Sequence, residues 1–497
     1  MSRPNIVLIF VDQWRGDCLS CADHPVVRTP FIDKLALYGG RFNHAYSAVS
    51  SCIAARVALF TGLTQRTHGR VGYQDGIPWN YPTNIASEFK RNGYQTQAVG
   101  KMHVSPPRHR MGFDNVTLHD GFVHFLRDHY SDVGLVDDYL PWLRQRAGIY
   151  ADDFAHGVNC NSNVARPWDK PEELHPTNYV MHESIEFLRK RDTTMPFFLH
   201  MSFHRPHPPY DPPAWAFEQY LHTKMPDVPV GDWADEYAGR YENHRPDCFA
   251  GKVSPDILQR ARAGYYGHMT HIDHQINRFI ESLAFFGLRK NTVICFTSDH
   301  GELMGDHNLW RKCLPYEGSA RIPMIFEGDC AGIKPGTTFD QPVELRDVMP
   351  TLLDCAGLEI PACVEGQSVL PMLRGEKPDN HNWREYIHGE HTTFRGGSAH
   401  YLTNGKEKYV WLSWSGREQF FDLQTDPQEL HDLAIAHPNS DRITAWRNRL
   451  ITELTGREEN YITDGKLTPR RGMPQVLSHV AREIDETKAF HKRLVKV

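Results

Sequence analysis

Long apolar runs are missing from this 497-residue chain: nowhere do about 18 apolar residues follow one another, so no segment reads as a membrane span. A basic excess is missing too. The formal net charge is −6, whereas a nucleic-acid binder shows a basic balance or stripe. The start, MSRPNIVLIFVDQ, has one arginine and a short apolar run. It lacks the longer apolar region and small-residue cleavage site of an export signal, which predicts a cytoplasmic protein. The one CxxC, Cys18 to Cys21, has no second CxxC beside it for a zinc site. The ten cysteines lie far apart, so reduced thiols are expected. No internal repeat or low-complexity segment stands out. What the chain has in quantity is histidine, 29 copies, many beside prolines and acids in loops, where polar chemistry tends to be carried.

The remaining pattern alternates strand and helix. NIVLIFV (5–11) is a continuous β-branched run, as in a strand buried on both faces. TPFIDKLALYGG (29–40) and NIASEFKRNG (84–93) have helical spacing and end in glycine; YQTQAVG (94–100) follows as a strand. A helix over 180–192 leads to the strand PFFLHMSF (196–203), and a long helical region over 256–287 leads to NTVICFTSD (291–299). IPMIFEG and ELRDVMPTLLDCAG continue the alternation to about residue 357. This is the order of an α/β fold with a mostly parallel central sheet flanked by helices. Beyond about 374 the character changes. HYLTNGKEKYVWLSW (400–414) predicts a hairpin turning on Asn404-Gly405, and SDRITAWRNRLITELTG a helix. We therefore expect a larger α/β domain over 1–378 and a smaller C-terminal α+β domain over 379–497 with a polar tail.

In open α/β sheets ligands bind where strands end at their carboxyl side. Strand 5–11 ends in Asp12-Gln13, strand 94–100 in Lys101-Met102-His103, and strand 196–203 in HRPHPPY with His204 and His207. Strand 291–298 ends in DHGELMGDH with Asp299, His300, Asp306 and His307, and Lys312 lies just beyond. One aspartate after a strand is an ordinary turn or cap residue; four strand ends carrying such groups to one edge point to a site. In SSCIAARVALFTG, Cys52 stands four residues ahead of Arg56 at a helix start. Three readings compete there: a buried structural cysteine, a thiolate nucleophile, or a cysteine destined for modification.

These residues carry a resemblance. VDQ at the first strand end, CIAAR followed by LFTG, GKMH followed by MGFD, RPHPPY and TSDHGELMGDHNLWRK occur in the order of a type I sulfatase of the alkaline-phosphatase-like superfamily, across about residues 3–357. FFDLQTDPQELHDL resembles that family's C-terminal domain. The resemblance implies that Cys52 is oxidised by a formylglycine-generating maturation enzyme to an aldehyde that hydrates to a diol. The start of a helix suits it, because free N–H groups and the helix dipole favour an ionised oxygen and an anionic ester. Most members carry proline where this chain has Ala54.

By the same matching, one divalent metal, expected to be calcium, is held by Asp12, Gln13, Asp299 and His300 with the diol oxygen. Oxygen-rich coordination suits calcium or magnesium, while a histidine ligand leaves room for manganese or zinc. Family members often have a second Asp at position 13 and Asn or His at position 300. The implied catalytic set is Cys52, Arg56, Lys101, His103, His207 and Lys312. Arg56 orients the diol; Lys101, His103 and Lys312 surround the sulfate. His207 is the general acid to the leaving oxygen, with His204 as its rival, and His307 and Asp306 support the loop or reach the leaving group. The expected substrate is a small sulfated mono- or oligosaccharide, with aryl sulfates and choline sulfate open. Loops 104–176 and 208–255, with PWDKPEELHP and YDPPAWAFEQY, and His391 or Arg395 in HGEHTTFRGGSAH are candidates for contacting it. Neither nucleic acid nor membrane is an expected partner. VDQWRGD also resembles phosphonate monoester and phosphodiester hydrolases, which share the formylglycine site.

Overall fold

A computed structural model describes residues 3–121, 132–376, 383–393 and 396–482. Its centre is an eight-stranded sheet. From edge to edge the strands are Thr337–Phe339, Gly39–Phe42, Met324–Glu327, Thr292–Ser298, Asn5–Asp12, Phe197–Pro206, Gln95–Gly100 and Asn115–Leu118. All run the same way except Met324–Glu327, which pairs antiparallel with both neighbours. The predicted α/β architecture is thus present, with one reversed strand inside it.

Asn5–Asp12 lies between two parallel partners and is buried along its whole length. Its alternate side chains feed two cores. Ile6, Leu8 and Phe10 face the helices Cys52–Thr61, Ile85–Arg91 and Val348–Cys355; Val7, Ile9 and Val11 face Pro30–Tyr38, Pro176–Lys190 and the 31-residue helix Pro255–Phe285. Burial on both faces explains why the run is apolar without alternation. Each such side chain contributes about 1.5–3 kcal/mol on leaving water, which fixes the register that carries Asp12 to the sheet edge.

The predicted hairpin exists. Ser398–Thr403 and Glu407–Leu412 pair antiparallel inside a four-stranded sheet that also contains Ile387–Thr392 and Arg417–Asp422. Asn404 Oδ1 accepts the N–H groups of Lys406 and Glu407, at 3.0 and 2.9 Å, and closes the turn. The helix Asp441–Leu454 covers one face through Ile443, Trp446, Leu450 and Leu454. Tyr401, Val410 and Phe421 on the other face pack against Tyr46, Trp233 and Tyr316 of the larger region. The expected boundary between 378 and 379 lies outside the described residues. Part of the expected polar tail runs back along the loop at 69–71, where Val71 N–H donates to Gln475 O at 3.0 Å and Leu477 N–H to Gly69 O at 2.8 Å. None of the ten cysteines is in a disulfide, and among the described residues no helix is long and apolar enough to cross a membrane.

Candidate active site

Asp12 closes the central strand, and the ladder shifts register between Val11 and Asp12, turning the carboxylate off the sheet. Gln13 follows with φ 69°, a left-handed conformation that costs a non-glycine residue energy and persists where surroundings fix it. Here Gln13 N–H donates to Asp299 Oδ1 at 2.9 Å and the Tyr265 hydroxyl donates to Gln13 O at 2.6 Å. Cys52 is the first residue of the Cys52–Thr61 helix. The segment CIAARVALFT is rich in good helix formers, is buried on every side, and ends at Gly62, whose φ of 68° lets its N–H close on Ala58 O. Ser51 precedes it without a side-chain cap bond. Ala54 lies in the first helical turn, where proline would fit equally well, so its identity does not shape the helix.

These elements meet at one buried point. A ligand atom from each of Asp12, Cys52, Asp299 and His300 lies within 4.8 Å of all the others. Cys52 Sγ is 3.2 Å from His300 Nε2 and 3.9 Å from Asp12 Oδ1. His300 Nε2 is 3.5 Å from Asp299 Oδ1 and 3.9 Å from Asp12 Oδ1. Ligands about 2.3–2.6 Å from a cation and at right angles stand roughly 3.3–3.7 Å apart. The spacing and the donor set, two carboxylates with one imidazole, therefore fit a divalent cation. His300 Nδ1 sits 2.9 Å from Gly301 O, which fixes Nε2 as the inward-facing acceptor. Burial pushes the His300 pKa down, against the pull of Asp299, and a neutral ring is the ligating form.

Two cations balance the carboxylates. Arg56 Nη2 lies 3.3 Å from Asp12 Oδ2 and 3.5 Å from Asp299 Oδ2, while Nη1 donates to Lys101 O at 2.8 Å and Ser202 Oγ at 3.0 Å. Lys101 Nζ also pairs with Asp12 Oδ2. Burial alone would raise the Asp12 pKa; Lys101 and, with it, Arg56 overcome it and hold the carboxyl well below its usual range. Arg56, expected to orient the nucleophile, thus spends its guanidinium on the aspartates.

The other expected residues gather around this point. His103 (φ 55°) reaches Asp75 Oδ1 at 3.2 Å. Burial opposes protonation of its ring, but the bonds to Asp75 and Cys52 prevail and raise the pKa. Lys312 Nζ donates to Gln13 Oε1 at 2.6 Å, so the carbonyl oxygen expected to ligate the metal is turned to the lysine instead. Burial works against its charge and the surrounding Cys52 and Asp12 more than restore it. His207 is buried, with Nδ1 2.9 Å from Pro208 O. Burial and then Lys312 depress its pKa, so without an anion its ring is neutral.

The ring of His204, the rival acid, lies 4.8 Å from that of His207 at a tilt of 42°, and Arg205 Nη1 donates to its Nδ1 at 2.6 Å. Its ring is buried beside His207. Asp306 takes Arg15 at 2.6 Å, and His307 lies 4.4 Å from the Trp233 ring; both brace the 301–313 loop. His391 is buried, and burial followed by nearby His300 pushes its pKa down to about 3; Arg395 lies outside the described residues. In the aromatic loops, Trp168 packs on the His175 ring and Trp215 donates to Glu172 Oε2 at 2.9 Å. A second buried group, His175, Asp211 and His268, also has ligand spacing. There Arg205 already grips Asp211 through Nε and Nη2, at 2.8 and 2.9 Å, and His156 Nε2 adds a contact at 3.0 Å, so the carboxylate is spent.

Sequence reasoning missed Asp75, Ser202 and Glu302. Glu302 lies two residues after His300 in DHGELMGDH, and that place in the strand-end stretch is the signal that could have found it. Ser202 and Asp75 carry no local signal.

The chain matches the Sulfatase family over residues 4–358 and the family described as N-sulphoglucosamine sulphohydrolase, C-terminal, over residues 305–456. It is 48% identical to the arylsulfatase of Clostridium perfringens (strain 13 / Type A) over 485 residues, covering 96% of this chain and 100% of that one. The chain belongs to the sulfatase family. This sulfatase is a sulfuric ester hydrolase of the arylsulfatase kind with the alkaline-phosphatase-like fold. It is also 28% identical to the choline-sulfatase of Rhizobium meliloti (strain 1021), covering 87% of this chain and 82% of that one. In structure it resembles the phosphonate monoester hydrolase of Agrobacterium radiobacter, with a TM-score of 0.74 at 24% identity, over 94% of the sulfatase and 100% of that chain.

Proposed function

We propose that this sulfatase cleaves a sulfate monoester with a formylglycine made from Cys52 and one divalent cation held by Asp12, Asp299 and His300, in a catalytic domain spanning 1–378. The observation that carries the reading is the convergence of Asp12, Cys52, Asp299 and His300 within 4.8 Å at a helix start and two strand ends. The cation supplies Lewis acidity to the sulfate oxygens and to the nucleophile; the aldehyde hydrate supplies the attacking oxygen. Calcium, magnesium and manganese suit the carboxylates, and zinc suits the imidazole.

The chain's own residues do the rest. Lys101 and Arg56 keep Asp12 ionised. Lys101, His103 and Lys312 offset charge that grows on the sulfate oxygens. His207 gives a proton to the leaving oxygen, and the arriving anion favours its protonated form. The residues of the 379–497 domain and the aromatic loops shape the side of the pocket that meets the alcohol.

A small sulfated sugar is the substrate we favour; the match of residues 305–456 to a sulphoglucosamine sulphohydrolase family supports a sugar. A second reading, hydrolysis of phosphonate monoesters or phosphodiesters at the same site, draws on Gln13. An amide there removes one carboxylate and leaves the pocket more accepting of anionic charge. Matured enzyme assayed on paired aryl sulfate and aryl phosphonate esters separates the two: preference for sulfate supports the first reading, and preference for phosphonate replaces it.

A further inference from the structure

Gln13 and Glu302 are both fully buried, 289 positions apart, and joined side chain to side chain. Three N–H donors converge on the Glu302 carboxylate. Gln13 Nε2 donates to Oε2; Met304 N–H, at 2.9 Å, and Arg311 N–H donate to Oε1. On its other side the Gln13 amide oxygen takes Lys312 Nζ. A lysine ammonium only donates and a carboxylate only accepts, so the amide has a single satisfied orientation: nitrogen to Glu302, oxygen to Lys312.

The same carboxylate holds the loop that bears Lys312. Between 303 and 313 the chain visits positive φ at Met304 (51°), His307 (55°), Asn308 (61°), Arg311 (67°) and Cys313 (77°). A backbone so far from relaxed keeps its shape only when tied. Leu303 N–H closes on Arg311 O at 2.8 Å, and Glu302 Oε1 ties the N–H groups of Met304 and Arg311 from within.

We infer that Glu302 is a positioning residue for the sulfate pocket, setting the Gln13 amide and the 303–313 loop so that the Lys312 ammonium is fixed toward the anion. This deepens the sulfatase reading and rests on it. It also gives position 13 a reason to be an amide. A carboxylate at 13 would face the Glu302 carboxylate in a dry pocket, where like charges repel strongly.

The chain offers a charge-neutral test. In Glu302→Gln, the new amide oxygen keeps the two backbone donors and its NH2 meets the NH2 of Gln13. Relief requires Gln13 to turn over, which sets an NH2 against the Lys312 ammonium. In Gln13→Glu two carboxylates meet. The double variant Gln13→Glu/Glu302→Gln exchanges the two groups: the amide now at position 302 donates to the carboxylate now at position 13, and that carboxylate accepts from Lys312. Every bond is restored with the net charge unchanged.

The readouts on metal-loaded, full-length protein are calorimetric affinity for inorganic sulfate, kcat/KM for an aryl sulfate, and thermal unfolding. We expect each single variant to lose about tenfold to a hundredfold in sulfate affinity and kcat/KM, and the double variant to exceed both. A wild-type-like Glu302→Gln overturns the inference, as does a double variant no better than the poorer single. Should Glu302→Gln fail to fold, the comparison of Gln13→Glu with the double variant decides in the same terms. Failure of the sulfatase reading looks different: matured wild type itself leaves aryl sulfate uncleaved.

Discussion

The Cys52 sulfur lies 3.2 Å from Nε2 of His300, a residue 248 positions away. That contact joins the start of a helix to the end of a strand, and both aspartates stand beside it. What the meeting point does can be tested residue by residue.

Arg56 supports the pocket electrostatically. Arg56→Met keeps most of the side-chain volume and removes the guanidinium from two fully buried carboxylates. Breaking a buried pair in this way costs about 3–5 kcal/mol. Thermal unfolding should show the loss in chelator and a smaller one with a saturating divalent cation. Equal losses under both conditions would mean that the cation and Arg56 do not share the aspartates.

A cation bound by Asp12, Asp299 and His300 should stabilise the fold. At a hundredfold excess over its dissociation constant the gain is about 2.7 kcal/mol. Melting curves of chelated protein titrated with calcium, magnesium, manganese and zinc should rise for at least one ion, and Asp299→Asn should abolish the rise. An unchanged curve with all four removes the metal site.

His207→Ala should separate esters by leaving group. A sugar or alkyl sulfate needs the proton and should lose about a hundredfold to ten-thousandfold in kcat. An activated aryl sulfate should lose far less. Equal losses on both would take the acid role from His207.

Stability should fall as pH rises through the range set by Glu429. Lys408 pairs with Glu317 Oε1 at 2.6 Å and Glu429 Oε1 at 2.9 Å, tying the C-terminal sheet to the catalytic region. Burial pushes the Glu429 pKa up to about 7, against the pull of Lys408. A carboxyl whose folded pKa exceeds its unfolded value of 4.5 contributes most below that value. The contribution declines by at most about 1.4 kcal/mol per pH unit until the folded pKa is passed. Glu429→Gln should flatten the profile between pH 4.5 and about 7, as read by melting temperature; an unaltered slope would show that another group governs it.

Much of this was legible in the sequence because strands buried on both faces announce themselves as apolar runs, and the chemistry follows them directly. Asp12, Lys101, Asp299 and His300 each stand at such an end. The reversed strand Met324–Glu327 was not legible, since a four-residue strand carries no direction and its neighbours are chosen by tertiary packing. The tie from Gln13 to Glu302 was hidden for a related reason: it joins two loops 289 positions apart, and neither loop alone shows which way an amide turns. The arginine was legible as a site residue but not in its partners. Spacing put Arg56 one turn after Cys52, whereas folding sent its guanidinium to Asp12, Asp299 and Ser202.

The most direct test is peptide mass spectrometry at residue 52, run on enzyme from its native host and compared with the turnover of an aryl sulfate by the same preparation. The account predicts an aldehyde in place of the thiol, in a fraction that tracks activity, and no turnover by Cys52→Ala. Full activity from protein whose Cys52 remains an intact thiol would contradict it.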